Sequence, residues 1–231
     1  MGDESASQAG KILSVKSLVI LISGQGSNMQ AIVEAVRAES WPVRIAAVIS
    51  NRAGAPGLAW AKSRGLDTCV VEHELFASRE AFDAALAEVV DRYAPDAIAL
   101  AGFMRVLTEG FVQRYEGRLV NIHPSLLPAF PGLRTHLAAL KYGAKVHGCT
   151  VHFVTAQLDH GPIIIQAAVP VFFGENEKAL AARVLVQEHH IYPKALRWLL
   201  DGRLVVADGV VSVKTEDGSR EDVLQSEGVS K

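Results

Sequence analysis

The feature that most constrains this chain is the alternation of short, continuous apolar runs with segments of helical periodicity. Unbroken apolar runs are typical of strands that are covered on both faces of a sheet. In the first half of the chain they occur at residues 17–23, 44–50, 69–71, 97–103 and 119–122. Between them, apolar residues recur at three- and four-residue spacing, as at Met29, Ile32, Val33 and Val36. The pattern predicts an α/β fold with a mostly parallel twisted sheet and helices on both faces, joined by right-handed crossovers.

The pattern changes in the second half of the chain. Residues 146–154 alternate loosely, residues 162–171 form another strand-like run, and the turn-rich sequence LDHGP separates the two. This arrangement predicts antiparallel strands added to the edge of the sheet. A long helix is predicted over residues 178–200, where apolar residues again recur at helical spacing. We expect residues 1–16 to be a loose extension, residues 17–208 to form a single domain, and residues 209–231 to be a polar tail.

Composition excludes several classes of protein. A chain of 231 residues that is 49% hydrophobic can bury a core without disulfide support. The net charge of −2 gives no general reason to expect a nucleic-acid or anionic-membrane partner. The two cysteines, Cys69 and Cys149, lie in apolar runs, which predicts buried thiols rather than a disulfide framework or a zinc site. Because no apolar stretch approaches about 20 residues and no signal peptide is evident, we expect a cytoplasmic protein.

The sequence SGQGSN at residues 23–28 follows the first predicted strand and precedes a helix. Glycines let backbone N–H groups approach an anion, and the helix amino terminus adds favourable partial charge. The alternative is a tight turn in which Ser27 only caps the helix. Gln30 and Ala31 stand where the third glycine of the dinucleotide fingerprint would be, and no acidic residue ends the next strand. A dinucleotide therefore fits poorly, and a terminal phosphate monoester fits better.

Asn121 and His123 lie at the end of the fifth predicted strand, in the sequence NIHPSLLP. Strand alternation places them on one side, near the carboxyl edge where open α/β sheets bind ligands. An amide donor beside an imidazole suits a developing oxyanion, although a polar strand end closed by a proline turn is an alternative. Asp159 could stabilise an imidazolium or belong to an ordinary turn. His147 and His152 show no metal-ligand spacing and are interpreted as structural, so no catalytic metal is expected.

Together these motifs resemble a known family. The sequences SGQGSNMQAI, AGFMRVL, VNIHPSLLPAFPGLRTH, HGCTVHFV, LDHGPIIIQ and QEHHIYP, in this order, resemble those of the phosphoribosylglycinamide formyltransferases over residues 17–208. The resemblance implies a formyltransferase fold with a nucleotide-binding-like amino-terminal half. It also implies transfer of the formyl group of 10-formyltetrahydrofolate, as co-substrate, to the amine of glycinamide ribonucleotide in purine biosynthesis, without a metal.

The same resemblance implies which residues form the site. Gly26, Ser27 and Asn28 would hold the phosphate of the ribonucleotide, and Glu188 its ribose end. Asn121 and protonated His123 would stabilise the oxyanion, Asp159 would favour the imidazolium, and His123 would donate a proton to the departing folate. The residues implied in folate binding are Arg79, Met104, Arg105, Val106, Leu107, Asn121, Ala156, Gln157, Leu158, Asp159, His160 and Gly161. Gln25 and His160 depart from the residues common in the family at those positions.

Other functions remain open at this point. Methionyl-tRNA formyltransferase carries an added carboxyl-terminal domain, for which this chain has no room, and should present a basic surface for tRNA. Formyltetrahydrofolate hydrolase usually carries an extra amino-terminal domain, and sugar-nucleotide formyltransferases fit the phosphate loop less well. A nucleotide-binding regulatory module with an inactive site is the alternative from a different class. We expect small-molecule substrates and a monomer or homodimer.

Overall fold

The computed structural model of the protein describes residues 15–215, 220–221 and 224–225. No helix in this part of the chain is long and apolar enough to cross a membrane. A short 3-10 turn, His73–Leu75, precedes the third α-helix. In chain order, the strands and α-helices are β1 (Lys16–Ile22), α1 (Ser27–Ala38), β2 (Val43–Ser50), α2 (Pro56–Ser63), β3 (Thr68–Val70), α3 (Arg79–Asp91), β4 (Ala97–Leu100), α4 (Glu109–Arg114), β5 (Leu119–His123), α5 (Thr135–Tyr142), β6 (Val146–Phe153), β7 (Ile163–Pro170), α6 (Glu177–Leu200), β8 (Leu204–Ala207), β9 (Val210–Lys214), β10 (Arg220–Glu221) and β11 (Leu224–Gln225).

The described strands form one large sheet and one small one. The large sheet has the order β11-β7-β6-β5-β4-β1-β2-β3, and the small sheet has the order β10-β9-β8. Strands β1 to β5 pair in parallel, whereas β6 is antiparallel to both β5 and β7. The structure therefore confirms the predicted fold class, including the antiparallel strands in the second half of the chain.

The apolar runs are continuous because the parallel strands are buried on both faces. Leu18, Ile20 and Ile22 of β1 belong to the core layer that contains α1 and α6. Val19 and Leu21 belong to the layer on the opposite face, with α3 and α4. All five side chains have no solvent exposure, and each contributes about 1.5–3 kcal/mol of burial free energy. The sheet is thereby held as a rigid base for the loops at its carboxyl edge.

Two predicted boundaries differ from the structure. The strand predicted over 97–103 ends at Leu100, because Gly102 turns the chain with a φ of 74°. The domain end expected at 208 lies inside a hairpin, since β8 and β9 pair across Asp208 and Gly209. Both turn residues have positive φ, as a two-residue hairpin turn requires. The polar tail expected over 209–231 thus begins in this turn and contains β9, and beyond Thr215 its residues are described only at β10 and β11. Most of the expected extension, residues 1–14, lies outside the described residues, and β1 begins at Lys16.

Candidate active site

The candidate site lies at the carboxyl edge of the sheet, where β1, β4 and β5 end. β1 lies between β2 and β4, so successive crossovers leave it in opposite directions and open a crevice between β1 and β4. Ligands of open α/β sheets bind in this kind of crevice. Tyr192 of α6 is fully buried beneath it, with its hydroxyl 3.0 Å from the carbonyl oxygens of both Leu100 and Val120. This contact fixes the end of β4 and the first residues of β5 relative to α6.

Four polar side chains converge at the end of β5. Asn121 and His123 come from β5, His152 comes from β6, and Asp159 comes from the loop after β6. His123 Nδ1 lies 3.5 Å from Asp159 Oδ2, and both side chains are 6% exposed. His152 Nε2 lies 3.9 Å from Asp159 Oδ1 and 3.3 Å from Asn121 Nδ2. The structure therefore brings together the three residues that the sequence singled out as catalytic.

The neighbours of His123 are hydrogen-bond acceptors on both sides of its ring. His123 Nε2 lies 3.0 Å from the carbonyl oxygen of Phe130, and its Nδ1 faces the Asp159 carboxylate. Each acceptor can receive a hydrogen bond from a ring N–H group. An imidazolium next to an amide donor can stabilise a developing oxyanion and can deliver a proton.

Asp159 is held in place by the backbone of two loops. Its Oδ2 accepts a hydrogen bond of 2.8 Å from the Gly132 N–H, and its own φ is 55°. Gly161, two residues further on, lies so close to β6 that an added Cβ would stand 1.7 Å from the Phe153 carbonyl oxygen. Gly161 is therefore required by packing, and it fixes the path of the loop that presents the carboxylate.

His152 is a site residue that the sequence analysis interpreted as structural. Its Nδ1 lies 2.9 Å from the Phe153 carbonyl oxygen, and burial lowers the pKa of its ring. A neutral ring that donates from Nδ1 can accept at Nε2 from Asn121, which orients the amide. Its position follows from the antiparallel pairing of β5 with β6, in which His152 lies directly opposite Asn121. That register would have identified His152 as a site residue.

An open cleft lies beside these residues. Its walls are mainly apolar, and its polar groups include Asn121, His152 and Asp159. Arg105 also lines the cleft, with its guanidinium 5.9 Å from the ring centre of Phe82 and its buried Nε without a hydrogen-bond partner among the described residues. Apolar walls with a few convergent polar groups are typical of a small-molecule binding site.

The predicted folate-binding residues divide between this cleft and its surroundings. Arg105, Val106, Leu107, Asn121, Ala156, Leu158 and Asp159 line the cleft. Met104 instead lines the neighbouring cavity around residues 23–28, so the segment 104–107 forms the wall between the two spaces. Gln157, His160 and Gly161 share the Asp159 loop without lining the cleft, and Arg79 is exposed at the start of α3, three residues before Phe82.

The loop over residues 23–28 forms the predicted anion site. Gly26 has a φ of 68° and precedes α1, and Ser27 and Asn28 are the first two residues of that helix. No side chain caps the helix, so the capping role considered for Ser27 is not found. The N–H groups of the first turn belong to residues that line the cavity around residues 23–28. These donors and the helix dipole favour an anion here.

Glu188 of α6 reaches the same region. Its Oε2 accepts a hydrogen bond of 2.7 Å from Asn28 Nδ2, and the carboxyl is 7% exposed. Burial raises the pKa of Glu188 despite that hydrogen bond. Asn28 Oδ1 is buried without a partner among the described residues, which leaves an acceptor for a ligand that carries a donor. The structure thus joins Asn28 and Glu188, 160 positions apart in the sequence.

The remaining histidines lie away from these groups or serve packing. His147 is 1% exposed and lies 3.2 Å from His136, and burial lowers its pKa to about 4. His190 is exposed, whereas His189 is half-buried, and burial lowers its pKa. Within the described parts of the chain, no group of three His, Cys, Asp or Glu side chains has the arrangement of a metal site.

Comparison with known proteins gives consistent relatives. The sequence profile of the family described as Formyl transferase matches residues 16–196. Phosphoribosylglycinamide formyltransferase of Escherichia coli (strain K12) is 52% identical over 188 residues, which cover 81% of this chain and 89% of that protein. Glycinamide ribonucleotide transformylase 1 from Symbiobacterium toebii is 48% identical with a TM-score of 0.84, covering 86% of this chain and 94% of that one. A formyltetrahydrofolate deformylase from Pseudomonas syringae pv. tomato is 26% identical with a TM-score of 0.81, covering 87% of this chain and 66% of that one.

Proposed function

The chain belongs to the phosphoribosylglycinamide formyltransferases of the formyl transferase family, and we propose that it transfers the formyl group of 10-formyltetrahydrofolate to the amine of glycinamide ribonucleotide. The products are formylglycinamide ribonucleotide and tetrahydrofolate, and the reaction is a step of purine biosynthesis in the cytoplasm. Both substrates are small molecules, and no resident metal takes part. A monomer or a homodimer can carry out this chemistry.

One observation carries the proposal. The cavity around residues 23–28, called the phosphate cavity below, and the mainly apolar cleft share the wall formed by residues 104–107. Asn121, His152 and Asp159 line the cleft side. Holding two reactants beside each other in fixed orientation removes much of the entropic barrier of a bimolecular reaction. In the proposed arrangement the phosphate binds at Gly26, Ser27 and Asn28, and Glu188 binds the ribose end.

The chemistry follows from the side chains at the end of β5. The substrate amine attacks the formyl carbon, and the carbonyl oxygen becomes an oxyanion. The Asn121 amide and the imidazolium of His123 stabilise that charge, while Asp159 stabilises the imidazolium. The bond between the formyl carbon and N10 then breaks as N10 takes a proton from His123, directly or through one water. The attacking nitrogen loses one proton, which restores the imidazolium, so the protons balance.

Hydrolysis of 10-formyltetrahydrofolate is the second candidate, because the deformylase of Pseudomonas syringae pv. tomato shares the fold at 26% identity. Water would replace the amine as nucleophile, and the same oxyanion donors would serve. The phosphate cavity favours transfer over hydrolysis, since a hydrolase needs no site for a phosphorylated acceptor. The two reactions therefore differ in whether the ribonucleotide is required.

A single assay separates these functions. Release of tetrahydrofolate from 10-formyltetrahydrofolate is followed with and without glycinamide ribonucleotide, and the formylated product is quantified. We expect release only when the ribonucleotide is present, with one formylated product for each tetrahydrofolate. Asn121→Ala is the matched variant, because it removes one oxyanion donor and should abolish most turnover with the fold intact. Release at the same rate without the ribonucleotide would establish the hydrolase, and no release in either arm would contradict both functions.

A further inference from the structure

The phosphate cavity contains one ionisable side chain among its lining residues. The lining consists of the loop at residues 23–28, residues 101, 102 and 104, and Arg52. The loop itself offers backbone N–H groups, hydroxyls and amides but no positive side chain. A phosphate monoester carries about −1.5 to −2 charges at neutral pH, and the protein as a whole is at −2. A dianion in this cavity therefore meets a single full positive charge, that of Arg52.

The backbone of Arg52 is fixed at the edge of this cavity. The Ser50 hydroxyl accepts a hydrogen bond of 3.1 Å from the Arg52 N–H and lies 2.9 Å from the Arg52 carbonyl oxygen. The preceding residue, Asn51, is 2% exposed and accepts a hydrogen bond of 2.6 Å from the Ser23 hydroxyl at the end of β1. The turn after β2 is thus tied to the first residue of the phosphate loop, so the base of the Arg52 side chain has a defined position beside it.

The guanidinium of Arg52 has no partner among the described residues. Other arginines in the same part of the chain are engaged, as Arg64 is with Glu34 and Arg197 is with Asp201. Arg52 is exposed and makes hydrogen bonds only through its backbone, although it shares the lining of an adjoining cavity with Glu72 and Glu74. A free guanidinium presents a planar set of donors that matches the oxygens of a phosphate in two parallel hydrogen bonds.

We propose that Arg52 is a phosphate-binding residue that pairs with the 5′-phosphate of the acceptor substrate and so selects phosphorylated over unphosphorylated acceptors. The inference rests on the proposed function and extends its phosphate site beyond residues 26–28. The loop supplies oriented N–H donors, and Arg52 supplies the countercharge that those donors lack. Its contribution is to binding of the phosphate end, away from the formyl carbon, so it should affect the KM for the ribonucleotide rather than kcat.

The test compares Arg52→Ala and Arg52→Lys with the matched control Arg44→Ala. Arg44 is also exposed, lies near the opposite end of β2 and carries the same charge. For Arg52→Ala we expect the KM for glycinamide ribonucleotide to rise about 10- to 100-fold, the range for loss of a charge-assisted hydrogen bond. The KM for the folate co-substrate should stay unchanged, and Arg52→Lys should recover part of the loss. With the unphosphorylated glycinamide ribonucleoside as acceptor, wild type and Arg52→Ala should perform equally.

A binding measurement keeps this proposal separate from the proposed function. Ribose 5-phosphate is titrated into wild type, Arg52→Ala and Arg44→Ala by calorimetry, with thermal melting to confirm that each variant is folded. Weaker binding to Arg52→Ala alone supports the phosphate role even if no formyl transfer were found. Equal affinity for all three proteins, or an equal rise in KM for Arg44→Ala, would overturn it.

Discussion

The parallel part of the sheet around β1 and the antiparallel part around β6 contribute different kinds of chemical group to the site. Around β1, the apolar strand residues have no exposure, and the first groups available to an anion are the backbone N–H groups at the start of α1. Around β6, polar side chains are themselves buried, with His123, His152 and Asp159 packed against one another. Main-chain donors bind an anion without a titratable group, whereas buried side chains can move protons. The comparison assigns binding to one region and chemistry to the other.

The largest effect should come from the antiparallel region. His123→Ala removes the imidazolium that stabilises the oxyanion and supplies the proton, so we expect kcat to fall by about 10²–10³ or more. Steady-state rates measure the change, and circular dichroism with thermal melting shows whether the fold is retained. Near-normal turnover in a folded His123→Ala protein would remove the distinction between the two regions.

Asp159→Asn tests the charge of the carboxylate separately from its position. Asparagine can still accept the hydrogen bond from the Gly132 N–H, but it no longer stabilises the imidazolium of His123. We expect kcat to fall roughly 10- to 100-fold, the effect of a hydrogen bond to a charged group. The KM for the ribonucleotide, whose phosphate is proposed to bind on the other side of the segment 104–107, should change little. A variant with unchanged kcat and a raised KM would place Asp159 in binding instead.

Glu188→Gln tests the buried carboxyl of the region around β1 through the melting temperature of the protein. Burial raises the pKa of Glu188 above its ordinary value of 4.5, so the folded state holds a proton that the unfolded state releases as pH rises. Protonated Glu188 therefore contributes stability that is fully present below pH 4.5 and is lost as the pH rises through the raised pKa. Glutamine keeps an acceptor for Asn28 without the buried charge. We expect Glu188→Gln to melt at a higher temperature than wild type at pH 7, with the gap closing below pH 4.5. A gap that widens at low pH would refute the assignment.

The smallest effect should come from the phosphate loop. Ser27→Ala deletes a hydroxyl that makes no hydrogen bond among the described residues and leaves every backbone N–H of the first turn in place. We therefore expect the KM for the ribonucleotide to change by less than about threefold, a value below one ordinary hydrogen bond. Ser27→Pro is the complementary variant, because it removes a backbone donor instead. A large rise in KM for Ser27→Ala would show that the Ser27 hydroxyl itself contributes to binding.

The parallel region was the easier part to predict from the sequence. The runs at 17–23 and 44–50 are continuous because burial on both faces leaves no polar positions, and this pattern is visible without partners. The helices α4 and α5 have only six and eight residues, too few for periodicity to identify them. Strand β9 was missed although Asp208-Gly209 between two valine-rich runs is a hairpin signal.

The candidate site was only partly predictable, because several of its residues meet only in the folded structure. Asn121 and His123 share one strand, so alternation alone places them together. Asn28 and Glu188, or Asn121 and His152, meet only through long-range packing and register, which a single sequence does not specify. His152 therefore looked like an ordinary strand histidine. The resemblance to a family supplied Glu188, which no local pattern selects, and it decided between the two interpretations of Asp159.

The length of the segment 104–107 limits how far apart the two binding spaces can lie. Met104 lines the phosphate cavity, Arg105 lines the cleft, and the Met104 N–H donates a hydrogen bond of 2.7 Å to the Ser23 hydroxyl. In the proposed arrangement, the phosphate end of one substrate and the folate lie on opposite sides of this short, continuous segment. One added residue would lengthen that segment by up to about 3.5 Å, as much as the whole distance between reacting atoms in a near-attack geometry. The length of this segment is therefore as strict a requirement on the site as the identity of its side chains.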